Sequence, residues 1–186
     1  MFRGEGGLYD EVEPHPNFII QSWAGNNETN LFNQSGLALD FFPDAKKSCD
    51  HFSHLKSNNF LPYVMGAFFA KKNNLNDCLL YNCYNRICEA TIANVFIITN
   101  GVIKTPALTE GCVNGVMRRY LINCFKKEGF LCIEGEILPE EILQASEVFL
   151  TNAMYGMRWV KTIGTSNYTN AMATLLHEKI IAPLFT

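Results

Sequence analysis

Asn94-Val95-Phe96-Ile97-Ile98-Thr99-Asn100-Gly101-Val102-Ile103-Lys104-Thr105 decides the fold class. Two runs rich in β-branched and aromatic residues flank an Asn-Gly pair, and Asn-Gly readily takes the positive φ angles of a two-residue hairpin turn. A second hairpin is expected just upstream, with strands over 77–82 and 87–91 and a turn at Tyr84-Asn85, and it delivers Glu89 to a strand end. Downstream, Pro106 and Gly111 punctuate a loop, and a helix is expected from Val113 or Asn114 to Lys127, ending before Gly129. Strands are expected over 130–137, 147–151 and 157–163. A short helix is expected over 139–144, its Glu140 and Glu141 suited to the positive end of the helix dipole, and an amphipathic helix over 171–184. Strands and helices mix without a regular βα repeat, which defines an α+β fold with one main domain.

Upstream of the hairpins the signals are sparser. Gly4, Gly6, Gly7, Pro14 and Pro16 make residues 1–16 read as loop. Strands are expected over 17–23 and 37–42, the second stopped by Pro43. A helix is expected over 60–73, because Leu61, Val64, Met65, Phe68 and Phe69 recur at the three- and four-residue steps of one buried face. Asn58 and Asn59 are N-cap candidates, and Pro62 suits a first turn. Lys56 then lies on the connection just before that helix.

Composition narrows the function classes. At 186 residues, 48% of them hydrophobic and 18% charged, the chain can bury a sizeable core. Its 14 phenylalanines suit a well-filled core and a buried subunit interface. A net charge of −3 without a basic block gives no support to nucleic-acid binding. No apolar run approaches a membrane span, and the N-terminus lacks the charged-then-apolar layout of a signal segment. The seven cysteines are odd in number, and the C-x4-C-x4-C spacing of Cys78, Cys83 and Cys88 fits no zinc pattern. Within apolar runs such thiols act as small hydrophobes, and a reducing cytoplasm is expected. His51 and His54 have no second ligand pair, so no metal is assigned.

Four blocks, taken in order, carry a resemblance. They are Lys56-Ser57 with Asn59, Leu61 and Pro62; Glu89 with Asn94-Val95-Phe96; Thr105-Pro106 with Leu108, Gly111 and Asn114-Gly115-Val116-Met117-Arg118; and Leu143 with Ala145 and the run from Glu147 to Ala153. Glu89 follows Lys56 by 33 residues. A weaker echo is Arg3-Gly4, Gly6-Gly7 and Tyr9. Together they resemble the fold-type IV pyridoxal-phosphate enzymes, the class IV aminotransferases and their lyase relatives. The resemblance implies the large C-terminal domain of D-amino acid aminotransferase-like enzymes, a mixed-sheet pseudo-barrel with packed helices. It implies pyridoxal 5'-phosphate as cofactor, a small-molecule amino substrate and a homodimer.

The same resemblance implies roles. Lys56 would be the catalytic lysine, joined to the cofactor through a Schiff base and later moving the substrate's Cα proton. Glu89 would bond the pyridine nitrogen, with Asn94 beside it. Val116 and Met117 would offer backbone N–H groups to the phosphate at a helix start, and the Thr151-Asn152-Ala153 loop would flank the phosphate on its other side. Many aminotransferases of this group carry a threonine where Ala153 stands. Asn152-Ala153-Met154 and the 113–118 loop are closer to 4-amino-4-deoxychorismate lyases, so the lyase is the first expectation. A class IV aminotransferase acting on branched-chain or D-amino acids is the alternative, and an isolated, non-catalytic large domain is the third reading. Family members carry a smaller N-terminal domain that supplies a phosphate-binding arginine and one wall of the substrate pocket. Residues 1–45 are accordingly expected to be a remnant or linker and 46–186 the cofactor-binding domain.

Overall fold

The computed structural model describes residues 17–24 and 31–185. The loop expected over 1–16, with the echo at Arg3–Tyr9, lies outside the described residues. The elements run β1 (Leu37–Lys47), α1 (Leu61–Lys72), β2 (Asp77–Asn82), β3 (Ile87–Ala90), β4 (Asn94–Thr99), β5 (Val102–Pro106), α2 (Val116–Lys127), β6 (Cys132–Gly135), α3 (Pro139–Leu143), β7 (Glu147–Asn152), β8 (Gly156–Ile163), β9 (Ser166–Asn167) and α4 (Ala171–Leu176). The Asn100-Gly101 hairpin is β4–β5, antiparallel with Thr99 opposite Val102, and both of its turn residues have positive φ. The upstream hairpin is β2–β3.

The nine strands of the described residues join one mixed sheet, in the order β3-β2-β1-β8-β7-β4-β5-β6 with β9 paired to β8. This order dictates curvature. Only Thr91, Ile92 and Ala93 connect β3, at one edge, to β4, the sixth strand along. Three residues reach about 14 Å, whereas five strand spacings in a flat sheet take about 24 Å. The sheet therefore curls, bringing its β3 edge round towards β4 as a half-barrel. Successive residues of β4 then serve two cores. Val95 and Ile97 pack inward with Leu79, Ile87, Leu150 and Val160, while Phe96 and Ile98 pack outward with Leu121 and Phe125 of α2 and Leu176 of α4. Glu147 at the start of β7 accepts the Met172 and Ala173 N–H groups (2.9 and 2.8 Å), satisfying first-turn donors of α4 that no cap side chain reaches.

Several expectations give way to the structure. Residues 18–24 carry no regular structure, so the strand expected over 17–23 is absent. β1 is not stopped by Pro43 but runs on to Lys47. Its register to β2 slips between Phe42 and Lys46, and a proline without an N–H is tolerated at such an irregularity. The domain boundary expected between residues 45 and 46 therefore falls inside β1, a strand paired on both sides. Helix α1 begins after Phe60, with no side-chain cap from Asn58 or Asn59. It turns Gly66 and Ala70 to the sheet, while Leu61, Val64, Met65 and Phe68 face outward. The reason is clearance: a Cβ on Gly66 would lie 3.0 Å from Cys78 Sγ and from Thr91 Cγ2, so only small residues fit that contact. The closing helix is also broken. After α4 the backbone widens into a π turn over His177–Ile181 and tightens into a 3-10 turn over Ala182–Leu184, around Pro183, which has no amide proton.

Candidate active site

A cavity of about 400 Å³ opens where the curled edge meets β4, with Lys56, Tyr63, Glu89, Thr91, Asn94 and Thr151 among its lining residues. Each wall has a local cause. In β3, Leu80 opposes Glu89 and Tyr81 opposes Ile87, so two residues of β3 answer one step of β2. This bulge re-aims Glu89 towards α1 and the cavity. Glu89 is 2% exposed and fully partnered. Its Oε1 accepts from Lys47 Nζ and from the Tyr63 hydroxyl (2.7 Å), and its Oε2 accepts from the Val113 N–H (2.9 Å) and more loosely from Asn94 Nδ2 (3.4 Å). Burial, and then the Glu89 carboxylate beside it, push the Tyr63 phenol far above its ordinary value, so Tyr63 stays a donor.

Asn94, at the start of β4, donates mainly to the Val113 carbonyl (2.7 Å), which ties the loop before α2 to the sheet. Gly115 lies directly against it: a Cβ there would stand 2.2 Å from Asn94 Oδ1. Gly115 is the N-cap of α2 and supplies no capping side chain, so the N–H groups of Val116 and Met117 at the cavity wall are left for another acceptor. Across the cavity, the Thr151 hydroxyl is 1% exposed and has no hydrogen-bond partner among the described residues. Asn152 is occupied locally, with Nδ2 on the Ile92 carbonyl (3.2 Å) and Oδ1 receiving the Met154 and Tyr155 N–H groups (2.9 and 3.1 Å). It shapes the wall that Ala153 and Met154 complete. Lys56 is exposed at the cavity mouth, with Nζ 5.9 Å from the Phe60 ring centroid and no hydrogen bond or ion pair among the described residues.

The structure thus brings Lys56, Glu89, Asn94, Val116, Met117, Asn152 and Ala153 around one cavity. Sequence reasoning missed Lys47 and Tyr63; it placed Thr151 in the phosphate-flanking loop but did not foresee that its hydroxyl has no partner among the described residues. Tyr63 stands one position past Pro62, and a phenol in the first turn of a helix beside a lysine was the available signal. Lys47 carried none, because the strand that aims it was expected to end five residues earlier. The arrangement fits pyridoxal phosphate on its own terms. A free amine, a buried carboxylate, an uncapped helix start and an orphaned hydroxyl supply, respectively, a partner for an aldehyde, a proton-holding acceptor for a ring nitrogen, and donors for a phosphate.

Comparison with known proteins agrees. Residues 1–163 match the model of the amino-transferase class IV family, and the chain belongs to that family. Its members are pyridoxal-phosphate-dependent aminotransferases and lyases. A putative branched-chain-amino-acid aminotransferase of Methanocaldococcus jannaschii is 30% identical over 97 residues, 52% of this chain and 34% of that protein. An aminodeoxychorismate lyase of Vibrio harveyi is 29% identical over 108 residues, 58% of this chain and 40% of that protein. The crystal structure of a putative 4-amino-4-deoxychorismate lyase from Legionella pneumophila shares the fold with a TM-score of 0.75 at 21% identity, covering 98% of this chain and 66% of that one. The matched stretch spans well under half the length of these two curated relatives. Among the described residues, no helix is long and apolar enough to cross a membrane.

Proposed function

We propose that this chain carries the cofactor-binding half of a pyridoxal-phosphate enzyme and that the reaction it serves is the conversion of 4-amino-4-deoxychorismate to 4-aminobenzoate and pyruvate. The observation that carries the cofactor assignment is Glu89, a buried carboxylate in an ion pair and held by two further close donors on the wall of a cavity that also holds Lys56. When bound, pyridoxal phosphate supplies an electron sink for the pair left behind as a substrate C–H bond breaks. The residues supply the rest. Lys56 carries the cofactor and removes the proton from the carbon bearing the substrate's amino group. Glu89 holds the proton on the ring nitrogen, where a neutral amide would stabilise the charge much less. The Val116 and Met117 N–H groups and the Thr151 hydroxyl bind phosphate. The Asn152 turn shapes the facing wall, and the lyase reading is favoured by Ala153, which offers no hydroxyl there.

A second reading, transamination of branched-chain amino acids, is favoured by the Methanocaldococcus relative. It uses the same Lys56 and Glu89, with Lys56 returning the proton to the cofactor rather than leaving pyruvate to depart. Reducing conditions suit the seven free thiols, so a cytoplasmic homodimer is the working form proposed. Borohydride reduction of the protein mixed with pyridoxal phosphate, followed by peptide mass analysis, tests the cofactor assignment. The added mass is expected on Lys56 and is lost in Lys56→Ala, whereas a wild-type protein that takes up none contradicts it. Incubation then separates the reactions: release of 4-aminobenzoate supports the lyase, and conversion of the bound cofactor to its amine form by branched-chain amino acids supports the aminotransferase.

A further inference from the structure

We infer that Lys47 is a positioning residue for this site: its ammonium, set behind Glu89, pairs with that carboxylate and holds it aimed at the cavity. The inference rests on the pyridoxal-phosphate reading above and adds a residue that reading does not use. Lys47 is 9% exposed, and its Nζ pairs with Glu89 Oε1, donates to the Gly111 carbonyl (2.7 Å) and lies 4.9 Å from the Tyr63 ring centroid. Glu89 lines the large cavity and Lys47 does not. Lys47 lines instead a smaller cavity of about 100 Å³ on the side of residues 48–60. The cation therefore stands behind the carboxylate and leaves the cavity face open.

Neutral donors alone make a poor setting for a charged carboxylate at 2% exposure, because taking one ion out of water costs several kcal/mol unless an opposite charge meets it. Tyr63, Val113 and Asn94 orient Glu89, but Lys47 is the ion that pairs with it. The backbone is built to hold Lys47 there. Gly111 has φ +83°, and a Cβ on it would stand 2.4 Å from the Ser48 carbonyl oxygen, so the loop is pressed against β1's end with its own carbonyl on the lysine. Although Lys47 and Lys56 both line the smaller cavity, their roles divide. Lys47 Nζ is fixed by two acceptors, whereas Lys56 Nζ has none among the described residues and is the amine left to react.

A double-mutant cycle on cofactor binding tests this. Pyridoxal phosphate is titrated into wild type, Lys47→Met, Glu89→Gln and the double variant, followed by visible absorbance, with borohydride trapping and mass analysis on each. Lys47→Met should weaken binding by about tenfold or more while the trapped mass stays on Lys56. In the Glu89→Gln background the same change should alter binding by less than about twofold, since the charge it serves is gone. Lys47→Arg, which keeps the charge, should bind within about threefold of wild type and supplies the comparison if the methionine variant does not fold. Wild-type affinity in Lys47→Met, or an undiminished loss in the Glu89→Gln background, would each overturn the inference while leaving the cofactor assignment standing. A wild-type protein that takes up no pyridoxal phosphate ends both.

Discussion

Glu89 can be picked out in the sequence because the resemblance fixes its place between Lys56 and Asn94. What the resemblance does not reveal is how fully the side chain is engaged. Each of its oxygens already meets two protein donors, of which the 3.4 Å contact from Asn94 is the weakest and would be the first to yield to a ring nitrogen. Asn94 gives it up easily, since its amide keeps the 2.7 Å bond to Val113. Glu89→Gln should therefore leave borohydride-trapped cofactor on Lys56 but slow loss of the substrate's Cα proton by roughly 10²-fold or more. Exchange of deuterium into unreacted substrate measures that step, and near-wild-type exchange would remove Glu89 from its role. Two cysteines beside it are no rivals to Lys56. Burial pushes the Cys112 thiol up to about 12 and the fully enclosed Cys88 thiol well above its ordinary value, so both stay protonated.

At the scale of elements, the hairpins and α2 were legible because the Tyr84-Asn85 and Asn100-Gly101 turns and the glycine stop after α2 act locally. The failures share a cause: each depended on what another element does. The apolar repeat in α1 was real, but its period cannot say whether Gly66 and Ala70 or the bulky residues meet the sheet. That is decided by the room left above Cys78 and Thr91. The strand β2 supplies a pH test of the same junction. Asp77 Oδ1 accepts from the Cys78 N–H (2.7 Å), the Thr91 N–H (3.2 Å) and the Thr91 hydroxyl (2.6 Å), joining β2 to the short connection on which the sheet curls. Burial outweighs these bonds and raises the carboxyl above 3.8. A carboxyl raised by folding contributes its stability below the unfolded value and loses it as pH climbs through the folded one. Asp77→Asn keeps an acceptor oxygen without the charge. Its thermal midpoint relative to wild type should therefore rise as pH goes from about 4 to 7. A difference that stays constant over that range would contradict this account.

For the whole molecule, the curl follows from the three-residue link between β3 and β4 and agrees with the pseudo-barrel that the resemblance implied, whereas the strand order could not be read in advance. Strand order is a non-local property, and the β1–β2 and β1–β8 pairings join residues far apart in the chain. The curled body leaves one face of α1 bare: Leu61 is 69% exposed and Phe68 63%, with Phe60, Val64 and Met65 beside them. A contiguous apolar stripe of this kind favours a partner surface, and a second copy of the chain is the partner expected. Sedimentation velocity should show concentration-dependent dimers that Val64→Glu with Phe68→Glu converts to monomers without lowering the thermal midpoint. Wild-type monomers at all accessible concentrations would rule this out.

The slip in β1 has a consequence of parity. Between Phe42 and Lys46 the strand advances four residues while β2 advances one, from Leu80 to Tyr81. Without those three additional residues in the count, Pro43 would stand opposite Tyr81 and Asp44 opposite Asn82. An acid would then occupy the station from which Lys47 reaches Glu89. The segment Pro43-Asp44-Ala45 lines none of the cavity, but by standing out of register it puts Lys47 rather than Asp44 opposite Asn82, which chooses attraction over repulsion at the buried carboxylate. A one-residue insertion or deletion there should behave as an exchange of Lys47 for a neighbour with the wrong aim, so the segment should tolerate changes of side chain far better than changes of length.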